Sequence, residues 1–415
     1  MRIPGVIPSN FRMKIDQSFI VLTVCLFASA SALAQKQPKL EQNFSNHIFR
    51  PAEEKPDDKL IAGLKLPGGF KISKFADDLE KPRMLAVAPN GDVYVTRRDP
   101  LNDVWLLRDT NGDGTADERK QVAQIKDVHG IALRDGKVYL AATRELFVAD
   151  ILPDGTFGST KALYNDLPDA GQHPNRTLAF DKTGELFLSV GSTCDACWEP
   201  NKENATMLLV KTDGSGRAIF ATGLRNTIGF DWHPKTGELW GMDHGIDWLG
   251  DDSQKEELNR IEEGKKYGWP FVFEDGKRNP ADNPQEYLKI SWDEYARQCE
   301  PPGLTYDAHS APMALLFYTG SQFPEQYRES AFVTFHGSWN RNKPSGYKVM
   351  HLKFKDGKPE AFENFLTGFL VKNDTAQFGR PVGLAMAKDG ALLVSDDSGG
   401  GIYRISYGGT KAASR

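Results

Sequence analysis

Between Gly223 and Pro270 polar side chains gather at a density that scaffold alone does not require. Gly-Leu-Arg225-Asn226 is followed by Asp243-His244, by Asp247, Asp251 and Asp252, by Glu256-Glu257-Leu-Asn259, and by Tyr267-Gly-Trp-Pro. Carboxylates mixed with small-residue turns, whose carbonyls are open, suit a hard cation such as calcium, which is bound through oxygen. An Arg beside an Asn suits an anionic or carbonyl-bearing ligand. The chemistry is expected in this stretch.

The elements that position these groups follow from a repeat. A turn, a Gly and three or four apolar residues recur as Gly91-Asp-Val-Tyr-Val, Gly136-Lys-Val-Tyr-Leu, Gly184-Glu-Leu-Phe-Leu, Gly237-Glu-Leu-Trp and Gly390-Ala-Leu-Leu-Val, with a weaker copy at Ser330-Ala-Phe-Val-Thr. A spacing of about 45–60 residues is that of β-propeller blades. The long interval before Ser330 has no further copy between Asp251 and Thr305, so it reads as an insertion at about 250–310. The chain is therefore expected to be all-β, a six-bladed β-propeller over 67–415. Each copy follows a second apolar element, such as Arg83-Met-Leu-Ala-Val or Arg380-Pro-Val-Gly-Leu, read as the innermost strand of its blade. The starts of these strands and the ends of the next share one face, so Arg83, His129, Arg176, Asn226, His309 and Arg380 converge on a channel mouth with Ser192, Asp243, His336 and Asp397. A concave site with convergent polar groups binds ligands by default; alternatively these Arg and His side chains tie blades together through loop carbonyls. Phe70–Phe75 and Gly401–Tyr407 alternate as strands, and the first is expected to close the last blade's sheet and cover its edge.

Composition bounds the partners. With 39 Gly and 24 Pro among 415 residues, the chain is turn-rich and globular. A net charge of −5 without any basic run argues against nucleic acid. Residues 1–34 read as an export signal: Lys14, the apolar core Ile20–Ala28 and Ala32-Leu33-Ala34, with Met13 as a plausible start. Residues 35–66 read as a polar lead-in. The apolar run is short for a membrane span, and the protein is expected to be periplasmic or secreted, with no stable span once the signal is cleaved. In such a compartment Cys194 and Cys197 read as a short-loop disulfide, or else as two unbonded residues of a loop, with Cys299 unpaired. Trp198 follows where a c-type haem site has His, so the pair does not read as a haem attachment site. Asp109–Asp117 resembles a calcium loop, but Lys120 stands at its twelfth position and a hairpin is favoured.

From about Pro67 to Tyr407 the chain resembles the soluble quinoprotein sugar dehydrogenases, the family of soluble glucose and sorbosone dehydrogenases. The pieces that carry this are Gly-Gln-His173-Pro-Asn-Arg-Thr-Leu, Gly-Leu-Arg225-Asn226, Glu257-Leu-Asn259 with Tyr267-Gly-Trp-Pro, His336-Gly-Ser-Trp-Asn-Arg341 and Gly-Arg380-Pro. The resemblance implies pyrroloquinoline quinone (PQQ) over the channel mouth, calcium bound to protein and quinone, and oxidation of an aldose, sugar aldehyde or related polyol. It assigns the base role to His173; an unperturbed imidazole, with pKa near ~6.5, suits that role. Arg225 and Asn226 would hold the quinone edge where charge develops. The implied calcium ligands are the carbonyls of Tyr267, Gly245 and Ile246, with Glu256 where the family often has Asp. Arg341 and Arg380 are candidates for the cofactor carboxylates, Trp339 for stacking, and His129 and His309 for the cofactor wall. A calcium-dependent lactonase would instead need acidic and Asn ligands around the axis, and a non-catalytic propeller would leave the His173 and Arg225-Asn226 pairing accidental.

Overall fold

The computed structural model describes residues 45–408 except 170 and 281; the expected export signal lies outside the described residues. Nearly all regular structure is β. Among the described residues there are six four-stranded antiparallel sheets. Their strands run Pro82–Val87, Val93–Arg97, Asp103–Arg108 and Glu118–Gln124 in the first sheet; Gly130–Arg134, Lys137–Ala141, Leu146–Asp150 and Lys161–Tyr164 in the second; and Arg176–Phe180, Leu186–Val190, Thr206–Val210 and Arg217–Thr222 in the third. The fourth has Gly229–Trp232, Leu239–Asp243, Glu256–Ile261 and Leu304–Tyr306, and the fifth Pro312–Phe317, Ala331–Phe335, Lys348–Lys355 and Lys358–Leu366. In the sixth, Pro381–Met386, Leu392–Asp396 and Gly401–Tyr407 are joined by Phe70–Ala76, which pairs with Gly401–Tyr407 as its alternation implies.

Burial falls from the second strand outwards. Val93–Arg97, Leu239–Asp243 and Leu392–Asp396 are buried at every residue, whereas Glu118–Gln124 is mostly exposed. A strand paired on both edges and covered on both faces reads as a continuous apolar run rather than an alternation. The repeat glycines make the turn before it: Gly91 and Gly390 have φ of 104° and 88°, a region that strains any residue with a Cβ. Glu329, with φ of 61°, takes that place before the weaker copy.

Hydrogen bonds link each sheet to the next and the last to the first. Thr96 Oγ1 accepts from Met84 N (3.1 Å) and donates to His129 O (2.8 Å), joining the first two sheets. His129 Nδ1 lies 3.1 Å from Arg176 O, Ser192 N donates to Arg225 O (2.8 Å), and Phe317 N donates to Asp231 Oδ2 (2.8 Å). Thr334 Oγ1 donates to Val382 O, and Ser395 Oγ to Arg83 O. These hydroxyls also receive the N–H groups of Ala314 (2.8 Å) and Gly383 (2.7 Å), which irregular register leaves outside the ladder. Buried backbone donors need such partners, so one hydroxyl serves two sheets.

The stretch without a repeat copy supplies the third and fourth strands of the fourth sheet. Between them the chain forms a hairpin, Val272–Phe273 with Lys277–Arg278, and short helices at Pro284–Tyr287 and Trp292–Ala296. In the lead-in, Ala52–Glu53 runs parallel to Ala376–Gln377, and Phe49 N donates to Trp339 O (3.0 Å). Among the described residues no helix is long and apolar enough to cross a membrane.

Candidate active site

His173 lies on the loop entering the third sheet. Its Nδ1 is 3.0 Å from Ser192 O and 2.8 Å from Ser192 Oγ, and that hydroxyl donates to Cys194 O (2.8 Å). With its hydrogen so committed, Ser192 Oγ accepts from the ring. Nδ1 therefore carries the proton and Nε2 keeps its lone pair, without a partner among the described residues. The loop is pressed onto this segment: Gln172 N donates to Thr193 O (2.9 Å), and a Cβ on Gly171 (φ 47°) would meet the same oxygen at 2.1 Å. The imidazole is not the unperturbed one expected from the sequence: burial first, then the charge of Arg225, lowers the His173 pKa to about 2, so the ring is neutral.

Arg225 is brought to the same place by a disulfide loop. Cys194 and Cys197 are bonded, the pairing expected of an oxidising compartment, and Cys299 is free. Between them Asp195 accepts Arg225 Nε on its carbonyl (2.8 Å) and Nη2 on Oδ1 (2.7 Å). The backbone of Arg225 and Asn226 is pinned by Asp243, which accepts Arg225 N, Asn226 N and Thr227 Oγ1, each at 2.8 Å. Burial nevertheless raises the Asp243 pKa to about 6. Gly191 separates His173 from Asn226; a Cβ there would lie 2.6 Å from His173 Cβ and 3.0 Å from Asn226 Oδ1. His173, Arg225 and Asn226 thus form one cluster.

The expected calcium ligands divide. Glu256 is buried; its Oε2 accepts Gly245 N (3.0 Å) and its Oε1 accepts Ala311 N (2.9 Å). It fixes the Gly245–Ile246 turn, and burial pushes its pKa up to about 8. Ile246 N donates to Gln254 Oε1 (3.2 Å). No hydrogen bond among the described residues ends on the Gly245 or Ile246 carbonyl, which leaves two oxygens open. Tyr267 belongs to the apolar cluster of Phe187 and Phe230 with its hydroxyl on Arg260 O, and among the described residues no hydrogen bond joins it to Gly245 or Glu256. Nearer to it in the chain, Glu257 is buried beside Asn259, whose Oδ1 is buried without a partner among the described residues.

The remaining mouth residues are more committed than the sequence suggests. His129 is held by Arg176 O through Nδ1 and by Arg83 Nη2 through Nε2 (3.3 Å). His309 donates from Nε2 to Gly250 O (2.8 Å) and accepts Asn340 Nδ2 on Nδ1 (3.0 Å). Arg380 donates to His336 O (3.1 Å) and Gly337 O (2.7 Å), and Arg341 to Ala308 O and Asp252 Oδ1, both at 2.9 Å. Trp339 carries Arg50 on its face (4.9 Å) and Trp248 at its edge (5.3 Å). Asp397 bridges Arg83 and His336 (2.7 Å to the latter), and these partners hold its pKa well below the usual carboxylate range despite burial. Sequence reasoning overlooked Asp195, and also Arg98. Arg98 is exposed, faces the charges of Arg83 and Asp397, and has no hydrogen bond from its guanidinium among the described residues. The Asp109 loop is internally satisfied: Asp109 accepts Gly112, Asp113 and Gly114 N–H groups, as in a hairpin turn.

The linked four-stranded sheets thus bring a neutral His173, an anchored Arg225 and Asn226 together. The chain belongs to the TrAA12-like family, whose profile matches residues 64–408. It is 31 % identical over 375 residues to a protein of Borreliella burgdorferi, covering 84 % of this chain and 92 % of that one. It is 29 % identical over 410 residues to the pyrroloquinoline quinone-dependent pyranose dehydrogenase of Coprinopsis cinerea, covering 82 % of this chain and 54 % of that enzyme. The chain thus spans about half the length of that relative. The holo pyranose dehydrogenase PQQ domain from Coprinopsis cinerea superposes with a TM-score of 0.70 at 19 % identity, covering 87 % of this chain and all of that one. Soluble aldose sugar dehydrogenase from Escherichia coli, in its apo form, gives 0.62 at 18 %, covering 81 % and 99 %. These two structures share the fold. Through its sequence relatives the chain is related to PQQ-dependent sugar oxidoreductases.

Proposed function

We propose that this chain is a six-bladed β-propeller quinoprotein. It oxidises an aldose, a sugar aldehyde or a related polyol, with PQQ as hydride acceptor and a separate cytochrome or quinone as final acceptor. The observation that carries this reading is the unpartnered Nε2 of a neutral His173 beside Arg225 and Asn226. His129 and His309 have both ring nitrogens engaged, so neither offers a free lone pair.

A hydroxyl proton must leave as hydride departs from carbon, and His173 Nε2 takes it. The Nδ1–H bond to Ser192 holds the ring in place and spreads the charge that the ring gains. Arg225 supplies a fixed positive charge on the same side without reorganisation. The residues present fit PQQ: Arg225 and Arg98 leave guanidinium nitrogens open for carboxylates or a quinone edge, and Arg380 and Arg341 line the wall. They also fit calcium, which the open carbonyls of Gly245 and Ile246 would hold while Glu256 braces the turn; Tyr267 is kept as a ligand on the resemblance alone. When bound, PQQ accepts the hydride and calcium polarises its carbonyl. Export to an oxidising compartment agrees with the disulfide.

Purified protein mixed with PQQ and calcium should gain a quinone absorbance and dye-linked oxidation of aldoses. A folded protein that binds neither under these conditions overturns the reading.

A further inference from the structure

We propose that Asp195, inside the Cys194–Cys197 loop, is the positioning residue that aims the Arg225 guanidinium into the site, a role that rests on the quinoprotein reading above. The Arg225 side chain is 2 % exposed, so its direction is set by what it bonds. Two bonds set it, Nε to the Asp195 carbonyl (2.8 Å) and Nη2 to Asp195 Oδ1 (2.7 Å), both from one residue. Nη1 has no partner among the described residues and is not sealed off, so it is the nitrogen presented to a ligand. The other carboxylate in reach, Asp247, stands 3.7 Å away and is taken by Gln172 Nε2 (2.7 Å).

Asp195 is itself fixed. The disulfide closes the loop around it, Asp247 N donates to its Oδ1 (2.7 Å), and Trp269 Nε1 points to its carbonyl (3.4 Å). The preceding residue supplies the carbonyl that takes Ser192 Oγ, and so sets the hydroxyl against which His173 is oriented. Ser192 N in turn donates to Arg225 O (2.8 Å). One covalently closed loop therefore sets both the base and the cation. A bond to a charged partner carries about twice the weight of a neutral one, so the Arg225 aim depends chiefly on this carboxylate.

The test is a double-mutant cycle between Asp195→Ala and Arg225→Ala, read first as PQQ affinity in the presence of calcium by quenching of tryptophan fluorescence. Asp195→Ala should weaken PQQ about ten- to hundredfold. The double variant should bind within about twofold of Arg225→Ala alone, because coupled residues do not add. Losses that multiply would show that Asp195 acts independently of Arg225 and overturn the proposal. A second readout needs no cofactor: labelling by phenylglyoxal, mapped to the Arg225 peptide by mass spectrometry, should be slow in the parent protein and about tenfold faster in Asp195→Ala. An unchanged rate overturns the proposal. If the parent protein binds no PQQ, the quinoprotein reading falls, and the labelling still decides whether Asp195 holds Arg225. If Asp195→Ala does not fold, the isosteric Asp195→Asn takes its place in the labelling, with a several-fold increase expected.

Discussion

A base needs a free lone pair, and His173 obtains one because Ser192 Oγ has already given its hydrogen to Cys194 O and can only accept from Nδ1. Replacing His173 by Gln keeps a polar group of similar reach without a proton acceptor. Turnover should fall by about two to four orders of magnitude, while PQQ affinity changes little. Arg225→Ala, by contrast, should lose both. The same geometry has a pH signature. The folded pKa of about 2 lies below the unfolded value, so the unfolded chain takes the proton first. His173 therefore stays neutral from pH 8 to pH 4, and its contribution to stability is present above about pH 6.5 and lost as pH falls towards the folded pKa. The imidazole carbon shift of His173, followed by NMR, should be flat across pH 4–8; a midpoint near 6.5 would show that the ring is solvated. His173, Arg225 and Asn226 were legible in the sequence because each sits in a run of distinctive residues. Asp195 was not, since an Asp in a short loop reads as turn chemistry. Nor did the sequence distinguish open carbonyls at Gly245 and Ile246 from a carboxylate, Glu256, already taken by two backbone N–H groups.

Strand ends are what carry these residues, and the packing between ends is tight enough to test. Gly191, just past the second strand of the third sheet, has room for no side chain: its Cβ would stand 2.6 Å from His173 Cβ, 3.0 Å from Asn226 Oδ1 and 3.2 Å from His173 O. Two of these, His173 Cβ and His173 O, belong to or adjoin the backbone and cannot swing aside as the end of a flexible side chain can. Gly191→Ala should therefore displace the His173 loop, lowering turnover by about tenfold or more and shifting the same His173 NMR signal, with the sheet itself intact by circular dichroism. Unaltered turnover would mean that the loop yields freely and that His173 is not held where the hydrogen bonds put it. At this scale the sequence was informative, because a turn Gly before a wholly buried strand leaves a repeating signal. The copy at Ser330 was faint since Glu329, not Gly, makes its turn. The last strands of the fourth sheet were hidden, because Glu256–Ile261 carries four polar residues and Leu304–Tyr306 follows a long excursion.

Across the whole molecule, the six sheets are linked in sequence, and the link from last to first depends on chain segments far apart. Ser395 Oγ on Arg83 O is one such link. The pairing of Phe70–Ala76 with Gly401–Tyr407 is another, and it was foreseen from alternation because an edge left bare would need covering. Phe70 concentrates that second link. Its ring meets Phe323, Tyr327, Phe365 and Tyr407 at 4.8, 5.1, 5.0 and 5.0 Å, every one edge-on, so the strand Phe70–Ala76 is packed onto the fifth sheet as well as the sixth. Removing a packed aromatic ring costs about 3–5 kcal/mol, and Phe70 is only half-buried, so Phe70→Ala should lose about 3 kcal/mol of unfolding free energy. The adjacent Lys71 points outwards and is exposed, and Lys71→Ala should stay within about 0.5 kcal/mol. Both are read from denaturant midpoints at constant slope. PQQ affinity of the folded fraction should be the same in both variants, because Phe70 touches none of the mouth residues. A loss below about 1 kcal/mol for Phe70→Ala would place the closure elsewhere, on hydroxyl links such as Ser395, and Ser395→Ala would then have to show the larger effect.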